Sequence, residues 1–290
     1  MKTEAFAKVN LTLEVFGTRP DGYHALRSVV MPVALADTVE IEEDLDLSCD
    51  TGFADDLCLK AARVLRASVP ADGRSRGARI RVTKRIPVGG GLGGGSADAA
   101  AVLVALNDLW QCALSPERLA EIGAQVGSDV PALVLSRFCG PVLMEGRGEK
   151  VAPLFPSPIL RSSSSVLHLV LANPGVFCST PAVFARCKSR VTDDPSILYN
   201  MQVALASGDP ERVAEALVND MEAPAVALHP EIGATQEALR QAGVLGVLMS
   251  GSGSTVFGLV RTEEEGRRVV AQLEAKGLKA WSVRTACPVV

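Results

Sequence analysis

Six of the seven residues from 89 to 95 in "PVGGGLGGGSADAAAVLVALN" (87–107) are glycine, and a strongly apolar stretch follows at once. Glycine gives the backbone access to positive φ and lets several N–H groups converge on one point. A helix that starts directly behind such a loop adds unpaired N–H donors and the positive end of its dipole. Together they form an anion cradle. Ser96 is placed to cap that helix, and its hydroxyl can face a phosphate or a metal ion. A Walker A loop carries lysine before its Ser or Thr; here that position is Gly95, so the loop is of another type. Gly89, Gly91 and Gly94 satisfy G-x-G-x-x-G, but a dinucleotide site also needs an acidic residue ending a second strand. The acidic residue in that region, Asp108, falls within the helical pattern instead. A second glycine cluster, "MSGSGSTVF" (249–257), lies between two strand patterns. It is either a hairpin turn or, paired with the first loop, the opposite wall of a phosphate site.

The flanking segments alternate between strand and helix periods. In "AKVNLTLEV" (7–15), Val9, Leu11, Leu13 and Val15 line one face of a strand, with Lys8, Asn10, Thr12 and Glu14 on the other. "TRPDGYH" (18–24) is a turn, and "TVEIEE" (38–43) resumes the alternation. "DDLCLKAARVLRASV" (55–69) is helical behind an Asp55 cap, and "ARIRVTKRIP" (78–87) leads as a strand into the glycine loop. Beyond the loop, Val102, Leu103, Leu106, Leu109 and Trp110 form one helical stripe; "SPERLAEIG" starts another helix with Ser115 as cap and Pro116 at its first position. Three prolines and the run Ser162–Ser165 in residues 151–165 mark the expected boundary between domains of residues 1–155 and 156–290. After it come a strand ("SVLHLVLANP"), a short helix ("STPAVFARC") capped by Ser179 or Thr180, and helical patterns near 209–222 and 230–242. The chain closes as strand, turn, strand, helix and strand, with Thr262 and Glu265 as a capping box. Such interleaving predicts an α+β fold of two sandwich domains.

Composition narrows the function classes. With 48% hydrophobic and 21% charged residues among 290, the chain is globular. A net charge of −4 offers no electrostatic footprint for nucleic acid, which speaks against an RNA-binding module. No uninterrupted apolar run reaches the roughly 18 residues of a membrane span. "MKTEAFAKVN" lacks the apolar core of a signal peptide, so a cytoplasmic protein is expected. The seven cysteines are odd in number, scattered and never C-x-x-C, and only three histidines accompany them; no metal-ligand residues are assigned.

"AKVNL" (7–11), "RPDGYH" (19–24), "PVGGGLGGGSADAA" (87–100), "GSDVP" (127–131), "NPGV" with "STPAVF" (173–184), "ND" (219–220) and "MSGSGSTVFGL" (249–259) occur in this order over nearly the whole chain. Together they resemble the GHMP family of small-molecule kinases, which use P-x-x-G-L-G-S-S-like loops in place of a Walker motif. "DGYH" and "TPAVF" are similar to the branch that acts on a cytidylated methylerythritol. The resemblance implies an N-terminal β-α domain shared with a ribosomal protein, a ferredoxin-like C-terminal domain, and an active site between them. It further implies phosphorylation by ATP, with Mg²⁺, of the C2 hydroxyl of 4-diphosphocytidyl-2-C-methyl-D-erythritol in non-mevalonate isoprenoid precursor synthesis. The implied partners are these two small molecules alone, with no nucleic acid and no membrane, and a monomer or homodimer.

Residue by residue, the resemblance places ATP over Pro87, Gly89, Gly90, Gly91, Leu92, Gly93, Gly94, Gly95 and Ser96. Lys8 and Asp129 match its catalytic positions. Asn10, Tyr23, His24, Thr180, Phe184, Gly251, Ser252 and Gly253 match substrate positions, with Tyr23, His24 and Phe184 holding the cytosine. The chemistry is sound on its own terms. Lys8 and Asn10 share a strand face, and an aspartate accepting the proton of a substrate hydroxyl is the device of protein kinases. Plainer roles stand beside these. Asp129 is also a favourable N-cap for "VPALVLS", with Pro131 in the first turn. Lys8 would serve as a solvated strand lysine, Phe184 as a core residue and Tyr23 as a hairpin residue.

Three departures from the family pattern stand out. Ala97 and Asp98 follow Ser96 where a second serine is usual, which removes a hydroxyl and is expected to bring a charge near the phosphates. "GSDVPAL" lacks the aromatic bulk usual behind the aspartate, and Ser254 replaces a proline. The rivals are another GHMP kinase, for mevalonate, homoserine or a sugar, and a dinucleotide-dependent oxidoreductase.

Overall fold

The computed structural model describes residues 1–19, 22, 24–52, 56–70, 76–155, 166–190 and 194–286. In chain order the elements are β1 (Lys2–Thr18), β2 (His24–Asp44), β3 (Leu47–Cys49), α1 (Leu57–Ser68), β4 (Gly77–Thr83), α2 (Gly94–Leu109), α3 (Pro116–Gly123) and α4 (Val130–Cys139). Next come β5 (Val142–Gly146), β6 (Lys150–Pro153), β7 (His168–Asn173), α5 (Thr180–Phe184), α6 (Pro195–Ser207), α7 (Pro210–Glu215) and β8 (Val218–Asn219). The chain finishes with α8 (Glu222–Leu228), α9 (Pro230–Gln241), β9 (Val247–Met249), β10 (Val256–Val260), α10 (Glu263–Glu274) and β11 (Lys279–Arg284).

The strands form two sheets. A seven-stranded sheet runs β3-β4-β2-β1-β8, with β5 on β2 and β6 on β5; a four-stranded antiparallel sheet runs β11-β7-β10-β9. This is the α+β class expected from the alternating periods, built on two sheets. The expected boundary near 151–165 falls largely on residues 156–165, outside the described residues. One strand from beyond it, β8, pairs in parallel with β1 through Thr12–Val218 and Leu13–Asn219.

β1 belongs to both layers. Ala5, Ala7, Val9 and Leu11 lie in the core under the larger sheet, while Leu13 and Val15 lie in the core of the smaller one. The register of β1 against β2 shifts between Asn10 and Thr12, a bulge of the kind that re-aims side chains beside functional sites. α2 packs behind β1 and is buried on nearly every side from Ala97 to Leu103, as expected of a helix without a polar face.

Several caps differ from expectation. Asp55 lies outside the described residues, and Asp56 caps α1, its Oδ1 accepting from the N–H groups of Cys58 and Leu59 at 2.7 and 3.0 Å. Ser96 does not cap α2: the N-cap is Gly93 at φ +69, and Ser96 lies within the first turn. No side chain makes a capping bond at this end of α2. Ser115 caps α3 as expected, accepting from the N–H of Arg118. Thr262 caps α10, but Glu265 returns its bond to the N–H of Arg261 rather than to that of Thr262.

Candidate active site

β1 turns its polar face inward. Lys8, Asn10, Thr12 and Glu14 are all buried. Buried polar groups need partners, and each finds one. The Lys8 ammonium donates to Asn10 Oδ1 at 2.6 Å, Asn10 Nδ2 donates to Ser28 Oγ at 2.7 Å, and that hydroxyl donates to the Thr12 carbonyl at 2.5 Å. Glu14 receives a two-pronged bond from Arg27 at 2.8 and 2.9 Å. Lys8 and Asn10 open onto a cleft of about 840 Å³.

Asp129 meets Lys8 in that cleft. Its Oδ2 stands 3.6 Å from Lys8 Nζ, with the lysine side chain 5% and the aspartate 32% exposed. Asp129 does occupy the N-cap position of α4, but its side chain makes no capping bond. The carboxylate therefore faces the lysine and the cleft instead of its own helix.

The glycine loop supplies the adjoining wall. Gly89, Gly91 and Gly93 have φ of +69, +76 and +69. Because no side chain caps α2, its first N–H groups remain available beside Ser96, which lines the cleft. The Lys8 stem packs on Gly93, where a Cβ would stand 3.2 Å from Lys8 Cε, and the Lys8 N–H donates to the Leu92 carbonyl at 3.0 Å. Leu92 itself does not line the cleft. Its side chain is buried in the core, because the residue that lets the loop re-enter the fold must anchor it.

The second glycine cluster seats directly on the first. Ser250 Oγ donates to the Gly91 carbonyl and the Thr255 N–H to that of Gly90, both at 3.0 Å. Asn219 holds this loop from below, donating to the Met249 and Gly251 carbonyls at 2.7 and 2.9 Å. Gly251 approaches the cation closely: a Cβ there would stand 3.1 Å from Lys8 Nζ. Thr180 and Ser252 share a hydroxyl–hydroxyl bond of 2.7 Å, and Gly251, Ser252 and Gly253 all line the cleft. At the far end His24 and Phe184 stack, with ring centroids 5.4 Å apart and planes within 9°. Tyr23 lies outside the described residues.

Residues 56–137 match the model for the GHMP kinases N-terminal domain, and residues 201–279 the GHMP kinases C-terminal model. The chain belongs to the GHMP kinase family. It is 42% identical to the 4-diphosphocytidyl-2-C-methyl-D-erythritol kinase of Symbiobacterium thermophilum over 98% of this chain and 99% of that protein. The corresponding kinase of Pelotomaculum thermopropionicum is 40% identical over 98% and 97%. A crystal structure of a 4-(cytidine 5'-diphospho)-2C-methyl-D-erythritol kinase superposes with a TM-score of 0.81 at 34% identity, covering 99% of this chain and all of that one. The mevalonate kinase of Methanococcus jannaschii shares the fold, with a TM-score of 0.68 at 16% identity and coverage of 99% and 98%.

Two cleft residues of this GHMP kinase escape the sequence patterns. Phe177, 71% exposed, lies against Gly89, where a Cβ would meet its ring at 2.6 Å. Arg147 lines the cleft from the β5–β6 turn. The one available signal was a charged residue set between two glycines in "EGRGE".

Among the described residues, the one His/Cys/Asp/Glu group with ligand atoms close enough for a metal is Cys49, Asp56 and Cys58. There both Asp56 oxygens are already engaged, one capping α1 and the other accepting from Thr51 Oγ1 at 2.5 Å. Asp98, expected near the phosphates, is a buried residue of α2 off the cleft lining and pairs with Lys84 at 2.6 Å; Lys84 also pairs with Asp37. The helix period decides this, since Asp98 lies two positions past Ser96 and so on another face.

Asp98 Oδ1 is buried without a partner. Burial pushes its carboxyl up to about 7; Lys84 opposes this and Asp37 adds to it. The folded state thus holds this proton longer than the unfolded chain does. Its contribution is complete below the ordinary carboxylate pKa and is lost as pH rises toward about 7. Urea melts of the protein and of Asp98→Asn check this. Expected is a stability difference, wild type minus variant, that falls across that window and is flat above it. A difference that rises with pH contradicts the assignment.

Proposed function

We propose that this kinase transfers the γ-phosphoryl group of ATP to the C2 hydroxyl of 4-diphosphocytidyl-2-C-methyl-D-erythritol, a step in non-mevalonate isoprenoid precursor synthesis. The observation that carries it is the joining, in one cleft, of a bare phosphate-binding backbone, the Lys8–Asp129 pair and the His24–Phe184 ring pair. The names of its relatives over nearly the full length support the same substrate.

Each part has a defined task. The backbone of Gly89–Gly95 and the start of α2 hold the triphosphate through N–H groups and the helix dipole. Ser96 and Asp129 line the cleft and are the oxygen donors there suited to a magnesium ion, which binds through one or two such groups and the phosphates and neutralises their charge. His24 and Phe184, with Tyr23, hold the cytosine. Asp129 accepts the proton of the C2 hydroxyl, and the Lys8 ammonium stabilises charge on the transferring group. Asn10 fixes the lysine and contacts substrate. Domains of residues 1–155 and 156–290 close on the two substrates. The enzyme acts on these two small molecules as a monomer or a homodimer. No helix of the described residues is long and apolar enough to cross a membrane, and the six described cysteines are not joined in disulfides. We place the enzyme in the cytoplasm, where thiols stay reduced.

³¹P NMR of the protein with Mg-ATP and a panel of acceptor alcohols tests the function. The expected result is ADP formation and a new phosphomonoester with the cytidylated methylerythritol, and neither with mevalonate, homoserine or galactose. Transfer to one of those acceptors, without transfer to the cytidylated alcohol, overturns it.

A further inference from the structure

A run of glycine gives the phosphate loop its reach but not its rigidity, because glycine loses more conformational freedom on ordering than any other residue. Unless the fold fixes the loop beforehand, nucleotide binding must order it, and affinity falls accordingly. The contacts already described hold the middle of the loop: Ser250 and Thr255 grip Gly91 and Gly90, and Lys8 binds Leu92. The two ends converge on one side chain outside the cleft, Asp37 of β2.

Asp37 is fully buried. Its Oδ1 accepts from the N–H groups of Arg85 and Ile86, the latter at 2.8 Å, and its Oδ2 accepts from the Lys84 ammonium. The segment Lys84–Ile86, which ends one position before Pro87, is thereby held to β2. Lys84 carries the connection on to the far end of the loop, donating to Asp98 Oδ2 near the start of α2 at 2.6 Å. The first residue of that helix rests on the same group: a Cβ at Gly94 would stand 3.0 Å from Ile86 Cγ2 and 3.4 Å from Lys84 Nζ. Gly94, Gly95 and Ser96 line the cleft, whereas Asp37, Lys84 and Asp98 do not.

We infer that Asp37 is a positioning residue for ATP: it clamps the entry of the phosphate loop directly and its exit through Lys84, so that the N–H groups at the start of α2 are aimed before the triphosphate arrives. This rests on the proposed phosphate-binding role of the loop. A carboxylate suits the task because it only accepts, and its two oxygens take two N–H groups and an ammonium at once. Bonds to an ionised acceptor are also roughly twice as strong as neutral ones. An amide in the same place has one acceptor oxygen and turns an NH₂ group toward the Lys84 ammonium.

Calorimetric titration of the full chain with a non-hydrolysable ATP analogue and with CDP tests it, for wild type, Asp37→Asn, Lys84→Met and Lys84→Arg. Val269→Ala, in the core of the smaller sheet, controls for loss of stability alone. Asp37→Asn is expected to weaken analogue binding by about 10–100-fold, as for loss of charged hydrogen bonds, with CDP affinity changed less than about twofold. Lys84→Met, which releases the far end of the loop, should weaken it by about 3–10-fold. Lys84→Arg, whose guanidinium can still bridge both carboxylates, should recover most of that loss. Val269→Ala should lower the melting temperature and leave analogue affinity level. If Asp37→Asn does not fold, the Lys84 pair decides alone, since that side chain is partly exposed. Unchanged analogue affinity in the variants, an equal loss for the analogue and CDP, or the same loss in Val269→Ala overturns the inference. A wild-type protein that binds the analogue but not CDP removes the cytidylated substrate and leaves the clamp to be judged against Val269→Ala. One that does not bind the analogue removes the nucleotide reading of the loop, and the inference with it.

Discussion

Asp129→Asn is expected to lower kcat by about 10²–10⁴-fold, the range of general-base catalysis, with both substrates still bound. The substitution keeps the volume at the end of α4 and removes only the proton acceptor. Phosphoryl transfer depends mostly on positioning and charge stabilisation, so activity falls without vanishing. Lys8→Met should also lower kcat, since a charge aimed at the transferring group is lost. Combined, the two should cost far less than the product of their separate effects if both act on one transfer event. The structure adds a sharper expectation for Asp129→Ala. Because the side chain makes no capping bond, this variant should lose less than the ~0.5–2 kcal/mol that removal of a working cap costs. Single-turnover kinetics and urea melts check both halves. Near wild-type turnover in Asp129→Asn would leave Lys8 as the principal catalytic group, and a full capping loss in Asp129→Ala would return the carboxylate to its helix.

Gly91→Ala should weaken ATP binding by about 10–100-fold, with a smaller fall in melting temperature. Two effects combine at this position. Its φ of +76 is a conformation that side chains rarely adopt, and a Cβ would collide with the Ser250 carbonyl oxygen and stand 2.8 Å from that of Gly253. Both obstacles are backbone, so neither can swing aside. The phosphate loop and the second glycine loop must separate, which moves the N–H groups of the cradle. Strained backbone of this kind stores about 1–3 kcal/mol, enough for the stated loss. Gly277→Ala is the control. Gly277 has φ +81 but nothing within 4 Å of an added Cβ, so it carries the conformational strain without the collision. Isothermal titration with a non-hydrolysable ATP analogue separates the two. Equal ATP affinity in both variants would mean that contact between the loops does not shape the site.

The sequence by itself determined what depends on local chemistry. A run of glycine followed by apolar residues has few uses besides an anion cradle, because positive φ and free helix N–H groups follow from the chain itself. The two-residue period of β1 placed Lys8 and Asn10 on one face, and the structure turns that face into the cleft. The Ser115 and Thr262 caps were legible for the same reason: capping reaches only three residues along the chain.

Tertiary structure decided everything that rests on distant partners. Nothing local distinguishes a polar strand face that meets water from one that is buried, yet Lys8 through Glu14 are buried because Ser28 and Arg27 of the neighbouring strand satisfy them. Asp98 looked like a phosphate neighbour by position, but it is buried on another face of α2, where Lys84 pairs with both Asp98 and Asp37. Helix α6 was not anticipated, since Tyr199 and Val203 expose apolar side chains that blur any helical stripe. The two glycine loops meet through Ser250 and Gly91, which are 159 residues apart, and the turn that brings Arg147 to the cleft packs through Gly148 on Ser128. Contacts across such distances arise from packing between layers, whose geometry no short stretch of chain encodes.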